Sequence, residues 1–234
     1  RQIKTGPLAK YYQSKGLFNE LRYLNFRLKP DVMLSTSPFQ TRHFIEAVEV
    51  SDSHFVEGIY PRCELFKKKK KELYDVIKRY ESPNTVNLAN KLKEYRYVYM
   101  YMPTFRDSGD DFITNCGFDF EQVNDALTRN NRLLIIKMHP DSKLSFLKEY
   151  SNIQIVEKDV DIYPILPLTH CLITDYSSIY FDYILMKDKP VILFIPDLDN
   201  YLKNSRDLAF PYEGYTKGIV AKDFEVLMAL FNSP

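Results

Sequence analysis

The sequence predicts an α/β protein: a Rossmann-like domain with a parallel sheet from about residue 95 to the end, preceded by a smaller strand, helix, strand unit. Two observations support this. Short apolar runs recur from Tyr95 onward with helical patterns between them. Such alternation is how a parallel sheet covered on both faces reads. A strand, helix, strand unit is also legible near the start, as α/β folds require.

In chain order, Asp31-Val32-Met33-Leu34 reads as a short buried strand running into a capped helix. Ser37 can accept from the first turn, and Pro38 at the first helical position loses no bond. A second strand, His54-Phe55-Val56-Glu57, ends at Gly58. Five consecutive lysines, Lys67 to Lys71, then open a polar, charged stretch to about Glu94 that contains the breaker Ser82-Pro83-Asn84. The shift predicts a linker over 67–94 between an N-terminal unit, 1–66, and a C-terminal domain, 95–234. In that domain the expected strands are Tyr97–Tyr101, Leu133–Lys137, Ile153–Val156, Cys171–Thr174 and Val191–Ile195. Helices are expected near Phe120–Thr128, Leu144–Tyr150, Asp161–Leu166, Ser178–Met186 and Asp223–Phe231.

Composition narrows the function. At 234 residues the chain has room for one domain and part of another. No apolar run reaches the roughly 18 residues of a membrane span. A formal charge of +1 argues against a surface built to track nucleic acid. Cys63, Cys116 and Cys171 have no metal-ligand spacing, and their odd number suits a reducing cytoplasm better than a disulfide framework. Cys171, inside an apolar run, reads as a core residue. No Gly-x-Gly-x-x-Gly, Walker loop, nucleophile elbow or Asp-x-Asp pair occurs, and no His, Cys or carboxylate grouping has the spacing of a metal site. The opening Arg1-Gln2-Ile3-Lys4 shows neither a signal core nor an initiator Met, so the chain is expected to begin inside a longer protein.

In open parallel sheets ligands bind beyond the carboxyl ends of the strands. Three polar clusters fall at such ends: Met102-Pro103-Thr104-Phe105-Arg106-Asp107, Lys137-Met138-His139-Pro140 and Thr174-Asp175-Tyr176-Ser177-Ser178. Thr104, Arg106, Lys137, His139, Thr174, Asp175, Ser177 and Ser178 are the candidate substrate-binding residues, with His139 and Arg106 as the candidate catalytic pair. Arg106 suits a diphosphate because its guanidinium is planar and always charged, and a salt bridge to Asp107 is its bland alternative. His139, stiffened by Pro140, can donate to a phosphoryl oxygen or exchange a proton. Ser177 and Ser178 open a helix whose free N–H groups attract anions, or one of them is simply its cap. Asp175 would repel a phosphate, so it is expected to order its loop or touch a hydroxyl of ribose or glycerol. His43, His54 and His170 read as structural.

Five blocks in this order resemble the CDP-glycerol glycerophosphotransferase family of teichoic-acid and capsule enzymes: Pro103–Arg106, Lys137–Pro140, Thr174–Tyr183, Lys189–Ile192 and Pro196–Tyr201. Gly58-Ile59-Tyr60-Pro61-Arg62 resembles the block closing that family's first domain. The resemblance implies a two-domain glycosyltransferase-B-like fold, with residues 1–66 as the end of an N-terminal, acceptor-side Rossmann-like domain and 95–234 binding a CDP-polyol. It implies no cofactor or metal. CDP-glycerol or CDP-ribitol would be the donor substrate, and a polyolphosphate or lipid-linked chain the acceptor. Arg106 and the Ser177-Ser178 turn would hold the diphosphate, His139 would serve the transferred phosphoryl group, and CMP would leave. The expected location is cytoplasmic, peripheral at the inner face of the membrane, where Lys67–Lys71 would meet anionic lipid. The family's His-Gly block, which carries the acceptor-activating histidine, has no match here.

Two rival readings stay open. One is a nucleotide-sugar glycosyltransferase or UDP-sugar epimerase of the same architecture, although such epimerases usually carry Gly-Gly where Ser177-Ser178 stand. The other is a non-catalytic module that binds anionic polymer or membrane through the lysine run.

Overall fold

The computed structural model describes residues 30–48, 50–106, 112–139, 148–157, 159–204 and 212–233. Strand β1 (Met33–Ser35) leads through helix α1 (Pro38–Val48) to β2 (Phe55–Glu57), which pairs with β1 in parallel. Ser37 Oγ accepts from the Gln40 amide, the cap expected ahead of Pro38.

The stretch expected as a linker is folded. Helices α2 (Lys70–Tyr80) and α3 (Pro83–Lys91) bury Leu73, Ile77, Leu88 and Ala89 in the core. Leu73 and Ile77 lie four apart, so they share one face while the exposed charges Glu72, Asp75, Lys78 and Arg79 take the other. Burying such a side chain contributes about 1.5–3 kcal/mol, enough to dock a helix that composition alone reads as solvated. The Ser82-Pro83 breaker ends α2 and starts α3: Ser82 Oγ accepts from the Thr85 amide and Pro83 takes the first turn.

The six-stranded sheet is parallel throughout, in the order β5-β4-β3-β6-β7-β8. Its strands are β3 (Tyr97–Met102), β4 (Arg132–Ile136), β5 (Ile153–Ile155), β6 (Cys171–Thr174), β7 (Val191–Phe194) and β8 (Ile219–Ala221). Each of the expected strands forms, and β8 is an addition. Alternate residues feed two cores. Val98, Met100, Leu133, Ile135, Leu172 and Leu193 face the one built with α2 and α3. Tyr99, Tyr101, Leu134, Ile136, Ile173 and Phe194 face the other. That second core is closed by α4 (Phe112–Asn115), α5 (Phe120–Arg129) and α9 (Phe224–Asn232). Asp119 caps α5, and Asp223 caps α9.

Three expected helices differ. Residues 161–165 form turns leading to a short 3-10 helix, Leu166–Leu168, because Pro164 and Pro167 remove amide donors. The helix expected over Leu144–Tyr150 falls partly outside the described residues, and 148–150 are irregular. The Ser178–Met186 helix is shorter, α6 (Ile179–Tyr183), with Ile184 and Leu185 exposed beyond it. Two further short helices, α7 (Leu198–Asn204) and α8 (Tyr212–Tyr215), follow β7.

Candidate functional site at the switch point

From β3 the chain builds β4 and β5 on one side of the sheet, then returns to build β6, β7 and β8 on the other. The order reverses between β3 and β6, which makes the loops leaving their carboxyl ends the expected ligand edge of such a sheet. Those loops are Pro103–Arg106 and Asp175–Ser178. Their neighbours on the same edge are Lys137–His139 after β4 and Ile195–Asp197 after β7.

Arg106 has partners other than a phosphate. Its side chain is 6% exposed, and Nη1 lies 2.9 Å from Asp175, whose side chain is fully buried. Nε and Nη2 donate to the two oxygens of Asp197 at 2.8 and 3.0 Å, and Nη1 also donates to the Thr104 carbonyl. Phe112, Tyr176 and Tyr201 surround the guanidinium, the Phe112 ring centre 3.8 Å away. Burial opposes its charge, but Asp175 and Asp197 outweigh burial and raise its pKa. The planar fork is therefore committed to carboxylates, and it braces the ends of β3, β6 and β7 together. Its bland alternative partner, Asp107, lies outside the described residues, as does Pro140.

Asp175 orders its loop. It accepts from the Thr104 amide at 2.9 and 3.1 Å and from the Tyr176 amide at 2.6 Å, while its carbonyl accepts from the Tyr212 hydroxyl. Thr174 is fully buried and donates to the Met102 carbonyl, which ties β6 to β3. The Thr104 hydroxyl is buried and has no hydrogen-bond partner among the described residues. Lys137 is turned toward the loop after β5, where Nζ donates to the Glu157 and Val160 carbonyls. Burial lowers its pKa, against Asp159, Asp161 and Glu157.

His139, Ser177 and Ser178 are placed differently. The imidazole is exposed and packs 5.5 Å from the Phe105 ring, which joins the loops after β3 and β4. Ser177 and Ser178 are half-buried, and the Ser178 side chain makes no cap bond to α6. Ser177 Oγ accepts a long bond from the Ile179 amide, at 3.5 Å. The edge thus combines a buried ionic cluster, Arg106 with Asp175 and Asp197, with an exposed imidazole and two half-buried hydroxyls.

Asp197, Tyr176 and Tyr212 are the residues that sequence reasoning left without roles. Asp197 directly follows β7 and Pro196, so the strand-end rule applied to this strand as well would have singled it out. His170 is structural: its Nδ1 accepts from the Val98 amide, which places any neutral-ring proton on Nε2.

The strand order defines the class, a doubly wound α/β domain whose expected ligand edge is at the switch point and which has no glycine fingerprint. Residues 12–233 match the CDP-glycerol:poly(glycerophosphate) glycerophosphotransferase family, and the chain belongs to that family. A teichoic acid ribitol-phosphate primase from Bacillus spizizenii is 28% identical over 85% of this chain and 49% of its own length. A teichoic acid poly(glycerol phosphate) polymerase from the same organism is 29% identical over 87% of this chain and 50% of its own. The chain spans half or less of the length of the curated relatives it matches. A structure of the wall teichoic acid polymerase TagF soaked with CDPG superposes with a TM-score of 0.74 at 22% identity, covering all of this chain and 57% of that one. The fold is glycosyltransferase-B-like.

Proposed function

We propose that this chain carries the donor site of an enzyme that moves glycerol phosphate or ribitol phosphate from a CDP-polyol to a hydroxyl of a growing teichoic-acid or capsule polymer, releasing CMP. The observation that carries the reading is that the loops bearing Phe105, His139 and Ser177-Ser178 all leave the carboxyl edge of the sheet at its switch point, where Arg106 ties the ends of β3, β6 and β7 together. Residues 95–234 would form the donor domain and 1–66 the end of the acceptor-side domain. The folded stretch 67–94 joins them.

In this reaction the acceptor oxygen attacks the phosphorus that bears the polyol, and the bond from that phosphorus to the CMP oxygen breaks. The bond's electrons leave with CMP. Positioning and charge stabilisation dominate such transfers. Ser177 and Ser178 would hold the diphosphate through hydroxyls and amides, and His139 would donate to the phosphoryl oxygens or to the leaving phosphate. Arg106, Asp175 and Thr174 would act from below by fixing the loops. Thr104 offers its buried hydroxyl, and Lys137 holds the loop beside the site. The acceptor proton needs a base from outside this chain's matched blocks.

Calorimetry with CDP-glycerol, CDP-ribitol, CMP and UDP-N-acetylglucosamine tests the reading. A CDP-polyol should bind at least tenfold more tightly than the UDP-sugar. The reverse order would favour the nucleotide-sugar enzymes of this architecture. Lys67–Lys71 are all exposed, and they would supply peripheral contact with the anionic inner face of the membrane in the cytoplasm.

A further inference from the structure

The block Gly58–Arg62 closes the first unit, and its arginine reaches across 120 residues of sequence to the helix behind the serine turn. Arg62 Nε and Nη2 lie 3.0 and 2.9 Å from the same oxygen of Asp182, on α6. The Tyr163 hydroxyl donates to that oxygen at 2.7 Å. The Arg62 guanidinium lies between two rings, 4.4 Å from the centre of Tyr60 and 5.2 Å from that of Tyr163. Tyr60 in turn accepts from Gln40 Nε2 on α1. A continuous line of contacts thus runs from α1 through Tyr60 and Arg62 to Asp182.

Helix α6 is held at other points as well. The Tyr180 hydroxyl accepts from the Lys217 amide and donates to the Lys217 carbonyl, and the Tyr183 and Thr169 hydroxyls meet at 3.0 Å. These contacts fix the helix within its own domain, whereas Arg62 makes a charged contact that joins it to the first unit. A second bridge is aromatic: Phe39 of α1 stacks on Tyr215 of α8 at 5.5 Å. Tyr212, at the start of α8, reaches the Asp175 carbonyl.

We propose that Arg62 is a positioning residue: its paired contact with Asp182 fixes the first unit against the helix carrying the Ser177-Ser178 turn, holding acceptor and donor sides in register for transfer. The proposal rests on the donor-site reading above. An arginine side chain 45% exposed, paired with a carboxylate at 10%, contributes little to overall stability. Reaction geometry is far more sensitive, because a misplacement of about 1 Å can cost on the order of 10²-fold in rate. The contact should therefore register in turnover and hardly at all in folding or donor affinity.

The test uses the full-length protein carrying Arg62→Met, which keeps the aliphatic stem, and Asp182→Asn, which leaves Tyr163 an acceptor. With saturating CDP-polyol and a primed acceptor, single-turnover CMP release should slow at least tenfold in both. Donor affinity should stay within about twofold, and Arg62→Lys should recover part of the rate. Hydrogen exchange without nucleotide should quicken in residues 33–57 and in α6 together. Wild-type turnover in a folded Arg62→Met variant, or a loss of donor affinity matching the loss of rate, would overturn the positioning role. Should no CDP-polyol bind even the wild type, the donor-site reading fails on its own. The exchange arm still decides the contact between the units: quickening in both segments supports it, and wild-type exchange overturns it.

Discussion

Arg106→Met should strongly destabilise the fold. The substitution keeps an unbranched stem and removes every donor. Asp175 would lose its cation, and both oxygens of Asp197 would lose theirs. With side chains of 6% and 0% exposure at the Arg106–Asp175 contact, water cannot replace the guanidinium without opening the loops. Removing one partner from a buried pair costs about 3–5 kcal/mol, since the other charge stays buried and uncompensated. For a chain of this size each kcal/mol lowers the midpoint by about 2–4 °C, so the loss should be roughly 6–20 °C. Thermal and urea unfolding followed by circular dichroism would measure it. Adding Asp175→Asn and Asp197→Asn to the variant should recover part of the loss, because the stranded charges are gone. A midpoint within about 2 °C of wild type would refute the brace. If Arg106 instead contacted a diphosphate, the variant would lose CDP-polyol affinity while melting normally.

Three further outcomes are expected. In the full-length enzyme His139→Asn should keep donor affinity within a few fold and slow single-turnover CMP release by about 10²-fold, as a group acting mainly in the transition state must; wild-type turnover would make it a loop residue. Lys189 Nζ donates to the Pro167 and Thr169 carbonyls, and burial, reinforced by Lys70, pulls its pKa down to about 8 from 10.5. Between those values the unfolded chain binds the extra proton, so unfolding free energy should rise with pH in wild type relative to Lys189→Met; a flat difference from pH 8 to 10.5 would contradict the shift. Neutralising Lys67–Lys71 should reduce sedimentation with anionic vesicles at low salt by about 1 kcal/mol per residue near the surface and leave nucleotide affinity unchanged. Equal sedimentation would make the run a solvated face.

Much of the architecture was legible because its causes are local. Strands β3, β4, β6 and β7 are buried on both faces, so nearly every residue in them must be apolar, and the runs stand out. Helix α5 announces itself through the Asp119 cap and the buried row Phe120, Val123 and Leu127. Strand β8 was not legible, since Ile219 and Val220 are exposed and only Ala221 enters the core. Helix α2 was obscured because its two core residues are diluted by lysines and acids. The turns at 161–165 show the opposite failure, an apolar spacing that suits a helix interrupted by prolines.

The sequence alone determined that polar residues would gather at the carboxyl ends of parallel strands, and its ordered blocks pointed to the family. Which of those residues face outward was decided only by the tertiary structure. Arg106 and Asp197 are 91 residues apart, and nothing near either one marks the other as its partner. A free arginine beside a strand end is a good phosphate ligand, and a buried one must find carboxylates. The choice depends on whether the folded chain brings Asp175 and Asp197 within 3 Å of its nitrogens and closes Phe112, Tyr176 and Tyr201 around them. Desolvation makes that pairing obligatory once the sheet has formed, and the burial that imposes it is a property of the assembled fold.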